Sequence, residues 1–111
     1  MVLFNIIATV GTSEATLTPY PSGTATVPNG KNRYIYTIVL NNTSTGSNTL
    51  TFRIYKSATL ESSFTITIPS TGSLSLIGND KAPILVVPSG RTLKAVASAS
   101  GIDVVMTAED K

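Results

Sequence analysis

The chain has 111 residues, the usual size of one domain with one hydrophobic core. Hydrophobic residues make up 41% and charged residues only 13%, where a typical soluble chain carries roughly 25% charged residues; 13 Ser and 17 Thr fill the difference. There is no Cys, His or Trp, which removes disulfides, thiol chemistry, His-based triads and ordinary zinc sites. Net charge is +2 and the eight basic residues are scattered, so no basic stripe of a nucleic-acid partner is expected. No apolar run approaches the ~18 residues of a membrane span, and no membrane partner is expected.

In chain order, residues 1–10 are apolar, lack a basic leader region and are interrupted by Asn5. They are expected to form a first strand rather than a signal peptide. Val27-Pro28-Asn29-Gly30-Lys31 reads as a tight turn, with Pro at its second position and Gly at its fourth. In residues 33–40, Tyr34, Tyr36, Ile38 and Leu40 alternate with Ile35, Thr37 and Val39. Both faces are mostly apolar, the pattern of a strand covered on both sides or meeting another subunit. Residues 41–48 are expected to be a polar hairpin loop.

Asn48–Lys56 alternates strictly, with Leu50, Phe52 and Ile54 on one face and Thr49, Thr51 and Arg53 on the other. Residues 57–62 read as a connection. Phe64, Ile66 and Ile68 then alternate with Ser63, Thr65 and Thr67. Residues 78–81 are another connection, and Val87-Pro88-Ser89-Gly90-Arg91 repeats the earlier turn. This repeat is read as turn chemistry, with an ancient half-sandwich duplication as the alternative. Leu93, Ala95 and Ala97 define one further strand, and Ile102, Val104 and Met106 the last. The prolines sit between runs, where they break no ladder. No window has helical periodicity. The expected fold is all-β: a single antiparallel β-sandwich or jelly-roll-like domain over 1–111, with about eight or nine short strands.

Catalytic patterns are missing. Lys56-Ser57 is a formal Ser–Lys pair without the Ser-x-x-Lys motif, and reads as solvated surface. Glu14, Glu61, Asp80, Asp103, Glu109 and Asp110 are scattered, where a glycosidase needs two carboxylates across a cleft. Asn79 and Asp80 lack the repeated acid spacing of a calcium loop. Gly72, Gly78 and Gly90 are isolated and open no helix, so no phosphate cradle is expected. Asn41-Asn42-Thr43 and Asn42-Thr43-Ser44 match a glycosylation sequon, as chance allows in an Asn/Thr-rich chain. No enzyme, cofactor or metal is expected. Tyr20, Tyr34, Tyr36 and Tyr55 are the rings that could serve as sugar platforms, or could pack in the core or against a subunit. The interface candidates are Tyr34, Ile35, Tyr36, Val39 and Tyr55.

A run of motifs covers about three quarters of the chain: the Val27–Lys31 turn, Ile38-Val39-Leu40-Asn41-Asn42-Thr43, Leu50-Thr51-Phe52-Arg53-Ile54-Tyr55, Thr67-Ile68-Pro69, and Leu74-Ser75-Leu76. The run ends on Val87-Pro88-Ser89-Gly90-Arg91-Thr92-Leu93-Lys94-Ala95-Val96-Ala97-Ser98 and Ile102-Asp103-Val104-Val105-Met106. Together they resemble small β-sandwich virion proteins of bacterial and archaeal viruses, including head decoration and related surface subunits. Residues 57–62 depart from that pattern, being short and lacking a Gly/Ala-rich insertion. The resemblance implies a non-enzymatic virion protein that decorates, cements or builds a capsid. Its partners would be copies of itself and another shell protein. The alternative is a lectin-like or adhesive module using exposed tyrosines, with carbohydrate as its partner.

Overall fold

Period-two alternation turns into strands along nearly the whole chain. The computed structural model describes residues 2–111, so Met1, the first residue of the expected opening strand, lies outside it. The described residues form ten strands: β1 (Phe4–Val10), β2 (Ala15–Thr16), β3 (Pro19–Tyr20), β4 (Arg33–Asn42), β5 (Asn48–Lys56), β6 (Thr59–Ile68), β7 (Ser73–Ile77), β8 (Leu85–Val87), β9 (Arg91–Ala97) and β10 (Ile102–Asp110). The count exceeds eight or nine because β2, β3 and β8 are two or three residues long, too short to show a period.

The strands form two antiparallel sheets. The larger runs β3-β1-β10-β4-β7, with β8 also on β4, and the smaller runs β2-β9-β5-β6. The pairing is that of one long hairpin: β1 with β10, β2 with β9, β4 with β7 and β8, β5 with β6. Rolling this hairpin brings β10 onto β4 and β9 onto β5. That is the jelly-roll arrangement, which stacks two sheets around one core. The alternating faces supply that core: Leu50, Phe52 and Ile54 from β5, Leu93, Ala95 and Ala97 from β9, and Ile102, Val104 and Met106 from β10.

Several local expectations change. Residues 41–48 do not form a hairpin loop, because β4 and β5 lie in different sheets. Asn41, Asn42 and Asn48 belong to strands, and only residues 43–47 cross between the sheets. Residues 57–62 are mostly strand. The turn is Ser57-Ala58, with Ser57 at φ 54°, and β6 starts at Thr59. Pro19 lies within a strand, but an edge strand, where a missing N–H is tolerated.

The largest change is in β4. The register with β10 shifts between Thr107 and Ala108: Thr107 opposes Thr37 and Ala108 opposes Ile35. Tyr36 is therefore the extra residue of a β-bulge, and it reverses the alternation. Before it, Arg33 and Ile35 point inward; after it, Ile38, Leu40 and Asn42 do. The expected face of Tyr34, Tyr36, Ile38 and Leu40 is thus split between two sides of the sheet.

Each end of the sandwich is tied differently. At one end the two similar turns clasp each other. Gly90 N–H donates to Val27 C=O (2.9 Å), Gly30 N–H to Ser89 Oγ (3.2 Å), and Ser89 Oγ to Pro28 C=O (3.2 Å). Gly30 and Gly90 have φ of 79° and 77°, a conformation that costs glycine little. At the other end two buried asparagines hold the loops. Asn42 Nδ2 donates to Gly46, Ile68 and Pro69 carbonyls, and its Oδ1 accepts from Ser44 N–H and Oγ. Asn48 Nδ2 donates to Ala99 C=O, while its Oδ1 accepts from Ser98 Oγ and Ala99 N–H.

The two sides also differ. Segment 15–27 pairs with β9, crosses to β1, and returns to β9 at Thr26. Its own Leu17 and Val27 are buried in the core. Across the sandwich, β6 and β7 end their sheets. There Phe64, Ile66, Leu74 and Leu76 point into the core yet stay half-buried.

Candidate functional site

An apolar residue beside an inward-facing apolar residue must point outward, because side chains alternate across a strand. Ile6-Ile7, Ile38-Val39, Leu76-Ile77, Val86-Val87 and Val104-Val105 are such doublets, all in the larger sheet. Their outward members are Ile7, Val39, Ile77, Val86 and Val105. Register gathers three of them, since Ile7 opposes Val105 and Val105 opposes Val39, which in turn opposes Ser75, while Val86 lies farther along β4 opposite Tyr34. This central row contains no charge. The next row has Tyr20 at one end, then Asn5, Thr107 and Thr37, and Ile77 at the other end. Tyr20 is 57% exposed and Ile77 82%. An uncharged face with a contiguous apolar row open to water is the kind of surface that marks a contact site.

Charges lie at the margins of this face. Asp103 accepts from Thr9 Oγ1 at 3.0 Å. Glu109 is buried beside Tyr36, whose hydroxyl donates to it at 2.7 Å, and the Lys111 ammonium stands 3.6 Å from it. The hydroxyl and then the ammonium hold the Glu109 carboxyl below the usual carboxylate range, although burial opposes them. Burial, followed by the bond to Glu109, pushes the Tyr36 hydroxyl up. The pair therefore stabilises the fold fully above the ordinary glutamate value of about 4.3, and loses its contribution as pH falls through the lowered folded value. On the alkaline side the tyrosine contribution is full below about 10 and is lost as pH rises through the raised folded value. Tyr36→Phe should destabilise the protein at pH 7, and the gap from the native chain should narrow at pH 3. Urea midpoints at the two pH values measure this. A gap unchanged by acid would rule out the Tyr36–Glu109 linkage.

The opposite outer face, on the smaller sheet, is different in chemistry. Glu14 accepts from Arg53 Nη1 (2.9 Å) and from the Tyr55 hydroxyl (2.8 Å), and Lys94 sits over the Tyr55 ring at 4.9 Å. Arg53, then Tyr55, hold the Glu14 carboxyl below its ordinary value. Around them lie threonines bonded in pairs, Thr51 with Thr65 and Thr26 with Thr92. These side chains bond one another, so the face offers fewer free groups than its composition suggests.

The five interface candidates are not brought together. Val39 and Tyr34 lie on the outer face of the larger sheet, with Lys111 over the Tyr34 ring at 5.1 Å. Ile35 is fully buried in the core, because the bulge turns it inward, and it is no interface residue. Tyr36 is only 6% exposed, so it offers no ring to a partner or a sugar. Tyr55 belongs to the other sheet and is engaged by Glu14 and Lys94. Sequence reasoning overlooked Ile7, Ile77, Val86 and Val105. The signal was the set of apolar doublets, which reads as noise when a single alternating face is sought. Asn79 Oδ1 accepts the Lys81 and Ala82 N–H groups and so closes its own turn. Among the described residues no three acidic side chains gather into a metal-binding group. No protein-family model matches this chain, and no curated protein matches it.

Proposed function

We propose that this chain is a non-enzymatic structural subunit of a virion, a decoration, cementing or coat protein that works by packing. The observation that carries the reading is the uncharged row Ile7–Val105–Val39 on the open face of the larger sheet, with Tyr20 and Ile77 at the ends of the next row. Burying such a row against a shell protein releases ordered water at about 25 cal/mol per Å² of apolar surface. Threonines beside the row match a neutral partner surface at little desolvation cost. Many weak contacts, repeated over a symmetric particle, add up to firm attachment. Jelly rolls serve both viral capsids and lectins, and fold alone does not choose between them. The choice of capsid over lectin rests on the apolar face and on the resemblance of the motif run. A sugar platform would have Tyr20 as its one well-exposed ring, since Tyr36 is buried and Tyr34 lies under Lys111.

Mass spectrometry of particles purified from the producing culture tests the reading. The chain should be present in many copies at fixed stoichiometry, and its absence from particles would refute the proposal. Val39→Lys should leave stability within about 0.5 kcal/mol, as surface changes do. It should also abolish incorporation, because it sets a charge in the middle of the buried row. Normal incorporation of Val39→Lys would exclude this face as the contact.

A further inference from the structure

We infer that a second copy of this chain docks on the free edge of β6, pairing β6 antiparallel with its own counterpart about a two-fold axis at Thr65. The inference is independent of the virion reading. Natural edge strands are usually guarded by proline, lysine, bulges or a covering segment. The opposite side of this sandwich has such a cover in segment 15–27. Residues 62–68 of β6, Ser62-Ser63-Phe64-Thr65-Ile66-Thr67-Ile68, contain no charge and no proline. The only charge on β6 is Glu61, which Arg91 holds at 2.8 Å and which is the extra residue of a bulge against β5, so the unguarded stretch begins at Ser62.

The direction of the backbone groups follows from the neighbouring strands. Ser98 N–H donates to Thr49 C=O across β9 and β5. Odd positions of β5 therefore aim at β9, and even positions aim at β6. The β6 partners of the even positions are Phe64, Ile66 and Ile68. The N–H and C=O groups of Ser63, Thr65 and Thr67 are consequently aimed away from the sheet.

Those outward groups fit a copy of themselves. With Thr65 opposite Thr65 of a second molecule, Ser63 falls opposite Thr67 and Phe64 opposite Ile66. Three residue pairs then exchange about six backbone hydrogen bonds. The inner row joins Phe64 to Ile66, both half-buried at the open side of the core, and aromatic–β-branched pairs of this kind stabilise sheets. The outer row joins only hydroxyls. No like charges meet across the axis. A single strand pair belongs with interfaces below about 1,200 Å², so the dimer is reversible.

Sedimentation velocity over a micromolar concentration series should give a monomer–dimer equilibrium. Thr65→Lys sets two ammonium groups face to face on the axis and should weaken the dimer at least tenfold at low salt, with partial recovery in 1 M salt. Ser75→Lys, on the outer face of the other sheet, should leave it unchanged. In this cysteine-free chain, Thr65→Cys should give disulfide-linked dimers on oxidation, and Thr16→Cys, exposed on the two-residue strand of the covering segment, should not. A monomer at every concentration, equal effects of the two lysines, or equal cross-linking by the two cysteines would overturn the proposal.

Discussion

Arg33→Met is expected to cost about 3 kcal/mol, the low end of the penalty for removing one partner of a buried ion pair, because the Asp110 side chain keeps 19% of its exposure to water. Arg33 points into the sandwich at the first position of β4 and is only 2% exposed. Its guanidinium grips Asp110 through two bonds of 2.7 and 2.9 Å. It donates also to the carbonyls of Thr24 and Ala25, each at 3.1 Å, and lies over the Phe4 ring at 5.1 Å. One side chain thus joins β4, the end of β10, β1 and the covering segment. Methionine has comparable bulk but leaves a carboxylate and two carbonyls without donors. A domain of this size has about 5–15 kcal/mol in total, so the loss should lower the urea midpoint sharply. Arg33→Lys should recover little, because a single ammonium cannot reproduce the planar fork. Combining Arg33→Met with Asp110→Leu should recover a large part of the loss, since most of the penalty is the stranded carboxylate. Additive losses in the double variant would disprove that account.

The second large effect is expected at Asn42. Asn42→Leu should cost about 3 kcal/mol or more, because it removes the five hydrogen bonds of a buried side chain, each contributing about 0.5–1.5 kcal/mol. The replacement is similar in size but has neither donor nor acceptor. It removes the donor shared by the Gly46, Ile68 and Pro69 carbonyls and takes the acceptor from the Ser44 N–H, which loosens the turn at Pro69 and the crossing at residues 43–47. Hydrogen exchange would separate this from a general loss of packing. Amides of residues 43–47 and 70–72 should exchange much faster, beyond what the fall in global stability accounts for. Uniform acceleration across all strands would instead mean that Asn42 does not act as a loop clamp.

Most of the strand set was legible because period two is strong where one face is wet. Leu50, Phe52 and Ile54, or Leu93, Ala95 and Ala97, leave little choice of face. The jelly-roll pairing was legible only as a class, since alternation says which side is buried and nothing about which strand is adjacent. The failure in β4 has a definite cause. A one-residue bulge at Tyr36 leaves no mark in composition, yet it exchanges the two faces for every residue beyond it. That is why Ile35 was expected outside and proved to be core. The candidate site was half legible. Val39 was singled out because its whole strand looked apolar. Ile7 and Val105 were not, because each sits in a strand whose inner face already satisfied the pattern. Only register makes the three neighbours.

The place of β10 has a consequence for how the molecule is made. It lies between β1 and β4, so the larger sheet has no centre until residues 102–110 are available. At about 5–20 residues per second, a ribosome needs roughly 5–20 s to go from the end of β1 to the start of β10. Throughout that interval β1 has only the two-residue β3 beside it and Val10 has no partner strand, so the nascent chain must be kept from its neighbours on the polysome. The smaller sheet is nearly complete earlier, since β9 ends at Ala97. Folding of this domain therefore waits for the synthesis of residues 102–110, and crowding among nascent copies is the hazard it has to survive.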